Sequence, residues 1–258
     1  MNRMKTKITL AIALLFTIGH LSAQEYKLAK SSGKLVLNEI NHLTLEGTNG
    51  NEIVFVSLDG RDEKDNRAAG LRAINSRGLE DNTGIGLSVV DKGTSYEVYQ
   101  LKKMDGPRVK ILVPKGVSIS ITHSSPHGED IKLRNVESEI ESSTVHSGIH
   151  LDNVTGPLNI KTVHGEIEAD FSAAIKSPIR LTSTHGLVDV TLPAATKANL
   201  SMSTSWGEIL VDPAMKIEVE TTGDMVKYSA NKVTGKLNGG GIEMELKSTH
   251  DNIYLRKK

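Results

Sequence analysis

Between residues 140 and 255 the chain repeats one arrangement of apolar and polar positions six times. The clearest copy is Leu158-Asn159-Ile160-Lys161-Thr162-Val163-His164-Gly165-Glu166-Ile167-Glu168-Ala169. With the histidine as position zero, apolar or small residues stand at −6 and −4, Ser or Thr at −2, and apolar residues again at +3 and +5. The other copies are centred on His146, His185, Trp206, Gly223 and His250. The −2 column reads Thr144, Thr162, Ser183, Thr204, Thr221 and Ser248. The +3 column reads Ile149, Ile167, Val188, Ile209, Val226 and Ile253. Self-similarity at a short period marks a repeat architecture.

Parity within a copy predicts its shape. Positions −6, −4 and −2 fall on one face of an extended chain, while +3 and +5 fall on the other, so a corner must separate two strands. Gly148, Gly165, Gly186 and Gly207, with Asn252 in the last copy, stand at that change. Glycine and asparagine suit a corner that needs positive φ, and that is the role expected of them. One copy presents too few aliphatic side chains to offset the ordering of about twenty residues, so copies must stack. Like columns then form ladders, with the Ser/Thr column an internal hydrogen-bonded one. The fold expected is all-β, a β-solenoid or β-helix-like stack of repeats. A β-sandwich of hairpins is the alternative, because period does not fix parallel pairing.

A defective copy precedes the six: Gly128 as zero places Ile131 and Leu133 at +3 and +5, after a polar first strand. Further upstream, alternation or β-branched runs predict strands at 34–46, 53–58, 87–90, 96–101, 109–113 and 117–121. Residues 59–77 are charged and predict an exposed excursion with a short helical turn near 68–74. The organisation expected is 24–118 as an N-terminal β region continuous with the solenoid, and 119–258 as the repeat solenoid.

Residues 1–23 precede this pattern and differ from it. Arg3, Lys5 and Lys7 precede an apolar run over 8–19, and Leu21-Ser22-Ala23 forms a cleavage site. That is the pattern of a secretory signal peptide, too short for a membrane span. The mature chain is expected to be exported, to the periplasm, the outer membrane or the cell surface, and it has no transmembrane segment. Among 258 residues there is no cysteine, so neither a disulfide framework nor a lipid-anchored cysteine arises. Basic and acidic residues balance at 31 each. Losing the three basic leader residues makes the mature chain slightly acidic, with no electrostatic footprint for nucleic acid. Aromatic residues are 3% of the chain, which suits thin aliphatic layers better than a sandwich with a large aromatic core.

Thr162-Val163-His164-Gly165-Glu166-Ile167, Ser205-Trp206-Gly207-Glu208-Ile209 and the closing runs Leu237-Asn238-Gly239-Gly240-Gly241-Ile242 and Asp251-Asn252-Ile253-Tyr254-Leu255 resemble one bacterial β-strand-repeat family. It is a family of unknown function usually called "putative adhesins". Asp81-Asn82-Thr83-Gly84 and Val113-Pro114-Lys115 resemble its exported members. The resemblance implies a right-handed, solenoid-like fold in an envelope or surface protein, with no established catalytic residues. Where the family has serine or another small polar residue, this chain has His146, His164 and His185.

Those histidines are the most distinctive chemistry in the sequence. A regular stack places them on adjacent rungs, with Trp206 and Gly223 interrupting the column. No carboxylate recurs in the same column to complete a zinc site, so the column is read as a polar ladder. No metal site, cofactor or catalytic residue is assigned. His123 to Asp130 is rich in ligand atoms, but Pro126 prevents a helical presentation of His123 and His127, and a turn between rungs is expected. Gly84-Ile85-Gly86 lacks the third glycine of a dinucleotide fingerprint, and no nucleophile-elbow or zincin motif is present. A carbohydrate-active enzyme, a polysaccharide lyase or glycosidase, is the alternative, with Glu166, Glu208 and Asp189 as outward carboxylates. The leading expectation is a non-enzymatic binding or structural module with a surface glycan or envelope protein as partner. An accessory role in envelope-stress signalling is a weaker third reading. Because the last strand ends almost at the terminus, Arg256, Lys257 and Lys258 are expected to guard an open edge.

Overall fold

The computed structural model describes residues 24–59, 67, 71, 74–172, 175–219 and 231–258. The expected signal peptide, most of the charged excursion with its helical turn, and the repeat centre at Gly223 lie outside the described residues. Among those described, twenty-one strands form one sheet of ten and one of eleven. The fold is an all-β solenoid.

Each repeat contributes one strand to each sheet. β8 (Gly116–His123) and β9 (Ile131–Arg134) form one rung, followed by β10 (Ile140–Thr144) with β11 (Ile149–Asp152). β12 (Leu158–Thr162) pairs off with β13 (Ile167–Asp170), and β14 (Ile179–Ser183) with β15 (Val188–Leu192). Neighbouring rungs are parallel in both sheets. Their register is the one the columns predict: Ile140 pairs with Leu158 and Leu158 with Ile179, while Ile149 pairs with Ile167 and Ile167 with Val188. Burial fixes this register, since a slip of one residue would turn every apolar side chain outward. All of these +3 residues are fully buried.

Spatial order departs from chain order at both ends. β20 (Ile242–Ser248) lies between β14 and β16 (Ala198–Thr204), and β21 (Ile253–Lys257) lies between β15 and β17 (Ile209–Val211), all parallel. The last rung in sequence is therefore the penultimate rung in space. The same arrangement occurs at the other end, where β2 (Ser32–Asn38) and β3 (His42–Thr48) lie between β8/β9 and the rung of β6 (Ser95–Gln100) and β7 (Arg108–Pro114). The expected open edge at residues 253–255 is thus corrected. β21 is an interior strand, with Ile253 and Leu255 buried. Arg256 pairs with Asp189 on the neighbouring rung, and Lys258 reaches Asp170 one rung further.

Antiparallel strands finish both sheets at one end and the larger sheet at the other, while the smaller sheet there ends on the parallel β17. β19 (Asn231–Leu237) runs antiparallel on β16, and β18 (Ile217–Val219) antiparallel on β19. At the opposite end β5 (Leu87–Asp91) covers β6, while β4 (Ile53–Ser57) covers β7 and itself carries β1 (Glu25–Leu28). Each reversal ends the run of parallel pairing, so the next parallel rung has no continuation to join.

The corner glycines serve a different purpose from the one their composition suggests. Gly165, Gly186 and Gly207 do not have positive φ. A Cβ on any of them would fall 2.1–2.2 Å from a backbone oxygen of the neighbouring rung, so close approach of two backbones is what excludes a side chain. Positive φ occurs at the other corner instead, at Asn135 and Asn153, whose side chains bond to each other. The Ser/Thr column is internal and hydrogen-bonded as expected, with Thr144 and Thr162 donating within their own corners to Ser147 O and Gly165 O and the others reaching across rungs. Ser183 donates to Gly165 O, Ser248 to Gly186 O and Thr204 to Asp251 O, each on the adjacent rung. Each such bond contributes about 1 kcal/mol net.

Candidate functional site

The corner places position zero of every described copy on one exposed ridge. The backbone at that position is fixed by the neighbouring rung: His164 N–H donates to Val145 O, His185 to Val163 O, His250 to Thr184 O and Trp206 to Thr249 O. The side chains therefore repeat at the rung period. The His146 and His164 rings stack at 5.5 Å, His164 and His185 at 4.9 Å, and His185 and His250 at 4.6 Å, with planes within 13° of parallel. Trp206 continues the stack, 6.4 Å from His250 and 2° from its plane. The sequence places three histidines together and has Trp206 interrupt them. The interposed last rung instead adds His250 next to His185, and Trp206 closes the column rather than breaking it. The signal for His250 was present in its own −2 and +3 residues, but not its place in the stack.

All five rings are exposed, Trp206 at 77%. Ring faces are spent on one another, so the ridge presents a row of ring edges. Among the described residues no hydrogen bond or ion pair engages the four imidazoles. Because nitrogen lone pairs lie in the ring plane, parallel stacked rings point them side by side rather than at a common centre. Among the described residues no group of three or more ligating side chains is placed to hold a metal. Two protonated imidazoles at this spacing would repel by roughly 0.8 kcal/mol in water.

The carboxylates considered for glycoside chemistry do not assemble. Glu166 and Glu208 share a column but stand three rungs apart, about 14 Å at ordinary strand spacing, too far for the paired-carboxyl geometries of glycosidases. Asp189 is held by the Arg256 guanidinium at 2.8 Å on both oxygens. A shallow groove of about 420 Å³ crosses the outer face of the larger sheet near Pro157, Pro178 and Asn159, and the Arg180–Glu245 ion pair at 2.7 Å lies in its lining.

The ligand-rich stretch 123–130 is a turn, and its register differs from the sequence expectation. β8 is an apolar strand, with Val117, Ile119 and Ile121 buried, and His123 pairs with Thr144 in the Ser/Thr column. This corner is three residues longer than the others, which displaced the apparent centre to Gly128 and made the first strand look polar. His123 is buried. Its Nε2 faces Asn41 Oδ1 at 3.2 Å and its Nδ1 faces Ser147 Oγ at 3.1 Å. Asn41 Nδ2 donates to the carbonyls of Lys103 and Met104, so Oδ1 is the acceptor and the network assigns the proton to Nε2. The Glu39 carboxylate clasps the same turn through Ser124 and Ser125. Gly128 lies against the imidazole, where a Cβ would come 2.3 Å from Cε1.

Burial holds the His123 pKa below its ordinary value; Glu39 opposes this, and His146 and His42 reinforce it. The native state therefore binds fewer protons than the unfolded chain just below the ordinary value of about 6.5. The associated stability is complete above that value and is lost as pH falls through it, levelling below the lowered native pKa. Thermal melts from pH 7.5 to 5.0 are expected to fall more steeply for the native chain than for His123→Thr, by a few degrees. Parallel curves would count against a neutral buried His123.

Residues 117–256, just over half the chain, match the family model described as Toastrack DUF4097. The chain belongs to the Toastrack family. Its members are of unknown function, in keeping with the resemblance read from the repeats. The chain is also similar to a putative cell adhesion protein from Clostridium sporogenes ATCC 15579, with 13% identity, a TM-score of 0.44, and coverage of 92% of this chain and 100% of that one. A putative adhesin from Bacteroides fragilis NCTC 9343 gives 9% identity, a TM-score of 0.32, and coverage of 91% and 96%. No curated protein matches the chain.

Proposed function

We propose that this Toastrack protein is an exported, non-catalytic binding module of the cell envelope, with a surface glycan or an envelope protein as its partner. The observation that supports this is the ridge of five exposed stacked rings, fixed by the backbone of adjacent rungs and without partners for the imidazoles among the described residues. Ordered, exposed aromatic surface of this kind is what recognition uses, since rigid rings give contact area at low entropic cost. The separated Glu166 and Glu208 and the neutralised Asp189 do not favour turnover. The leader pattern at 1–23 supports export.

Cell fractionation and a glycan array test this reading together. The expected results are an envelope-retained chain beginning at Gln24, and array or envelope-extract ligands whose binding falls about tenfold in Trp206→Ala, the loss of one ring platform at an interface centre. A chain retained in the cytoplasm with its leader intact, or polysaccharide cleavage by the purified protein, would overturn it.

A further inference from the structure

We infer that the ridge is an acid-activated binding site for a linear acidic polysaccharide, a polyuronate chain lying along the stack. This deepens, and rests on, the binding-module reading above. The imidazoles recur at one period over four consecutive rungs, and a repeating row of ring edges favours a repeating ligand. Histidine is the side-chain type whose charge responds to mild acid, and on this ridge four of them stand side by side.

The surrounding charges make that change decisive. On the larger sheet's outer face, the column three residues before position zero carries Lys161 and Lys247, and Lys232 pairs with Ser203 of that column. On the other side of the ridge are Glu166, Glu208 and Asp251. Asp130 also lies there, already bonded to Gly148 N and His150. His123 lies buried near His146 and stays out of the row. The fixed charges nearly offset one another, so the four imidazoles set the sign. Uronate carboxylates remain ionised at pH 5.5.

Other features favour a sugar over a lipid surface or a nucleic acid. Ser143, Thr182 and Ser203 alternate with the lysines and supply hydroxyl partners. Trp206 ends the row with an open ring suited to the C–H face of a pyranose. The aliphatic neighbours Val145 and Val163 are half-buried, so the large apolar side chain the ridge exposes is Trp206, a single ring rather than a face that would insert into a bilayer.

Binding of the full chain to polygalacturonate, at fixed ionic strength, tests the inference. Affinity at pH 5.5 is expected to exceed that at pH 7.5 by about tenfold or more, the scale of electrostatic gain from several clustered charges. His164→Ser with His185→Ser is expected to abolish the gain while leaving the melting temperature at pH 5.5 unchanged. His164→Lys with His185→Lys is expected to bind at pH 7.5 as the native chain does at pH 5.5, so a positive result does not depend on a loss. Equal affinity at the two pH values, a gain that survives the serine pair, or no binding of polygalacturonate at either pH overturns the inference. The same pH- and histidine-dependent binding to phosphatidylglycerol vesicles or single-stranded DNA, with none to polygalacturonate, also overturns it. Failure here, with Trp206-dependent hits for neutral glycans on the array, removes the acid-activated site and leaves the binding module standing. An empty array with no envelope retention removes both.

Discussion

Gly186→Ala is expected to destabilise the fold by about 3 kcal/mol or more, among the larger costs of a single overpacking substitution. The added Cβ would stand 2.2 Å from Gly165 O, 2.6 Å from Gly165 C and 2.9 Å from Glu166 N, all backbone atoms of the adjacent rung. No rotamer change can relieve a clash with backbone, so two rungs must separate. Separation weakens the Ser183 hydroxyl bond to Gly165 O and the ladders on either side of the corner. Gly50→Ala is the control: its Cβ would meet only the Thr48 side chain at 3.5 Å and beyond. That change is expected to be neutral or to stabilise by about 0.5 kcal/mol through the unfolded chain. Urea titration of the two variants decides the matter, and equal midpoints would refute close approach as the reason for the glycine column.

Leu255→Ala, three residues before the end of the sequence, is expected to cost about 3 kcal/mol, as in the middle of a core. Leu255 is buried and pairs with Val190 on one side and Val211 on the other. Val211, far from the terminus but on the outermost strand of its sheet, is only partly buried. Val211→Ala is expected to cost less than about 1 kcal/mol, since little apolar area returns to water. Chemical denaturation of both variants checks this. A Leu255→Ala cost no greater than that of Val211→Ala would mean the last strand frays as a terminal strand does.

The rung, its corner and its hydroxyl ladder were legible in the sequence because burial imposes a two-residue period that survives substitution within each column. The order of the rungs was not. The copies centred on Trp206 and His250 present the same −2, +3 and +5 chemistry to a neighbour, so either one satisfies the columns of β14 and β15. Sequence alone could not tell a glycine needed for positive φ from one needed for close approach, since both exclude Cβ. The longer corner after His123 hid an apolar strand, because counting from Gly128 placed Thr122, Ser124 and Pro126 in the columns that Ile119, Ile121 and His123 occupy. At the candidate site, three histidines were visible as a column. The continuous ladder depended on the rung order and therefore was not.

The interposed rung also constrains how the stack can be assembled. As the chain is made, Ala198–Thr204 exists before the strands that will flank it on the inner side. On β14 it would meet Ile179, Leu181 and Ser183, the same column positions it later meets on β20 as Met244, Leu246 and Ser248. Any provisional stacking of β16 on β14 would be a competing register that β20 and β21 would have to displace. In the native arrangement β20 and β21 act as a keystone, joined to a rung on each side. A repeat appended to the end of such a chain would not lengthen the stack at its tip.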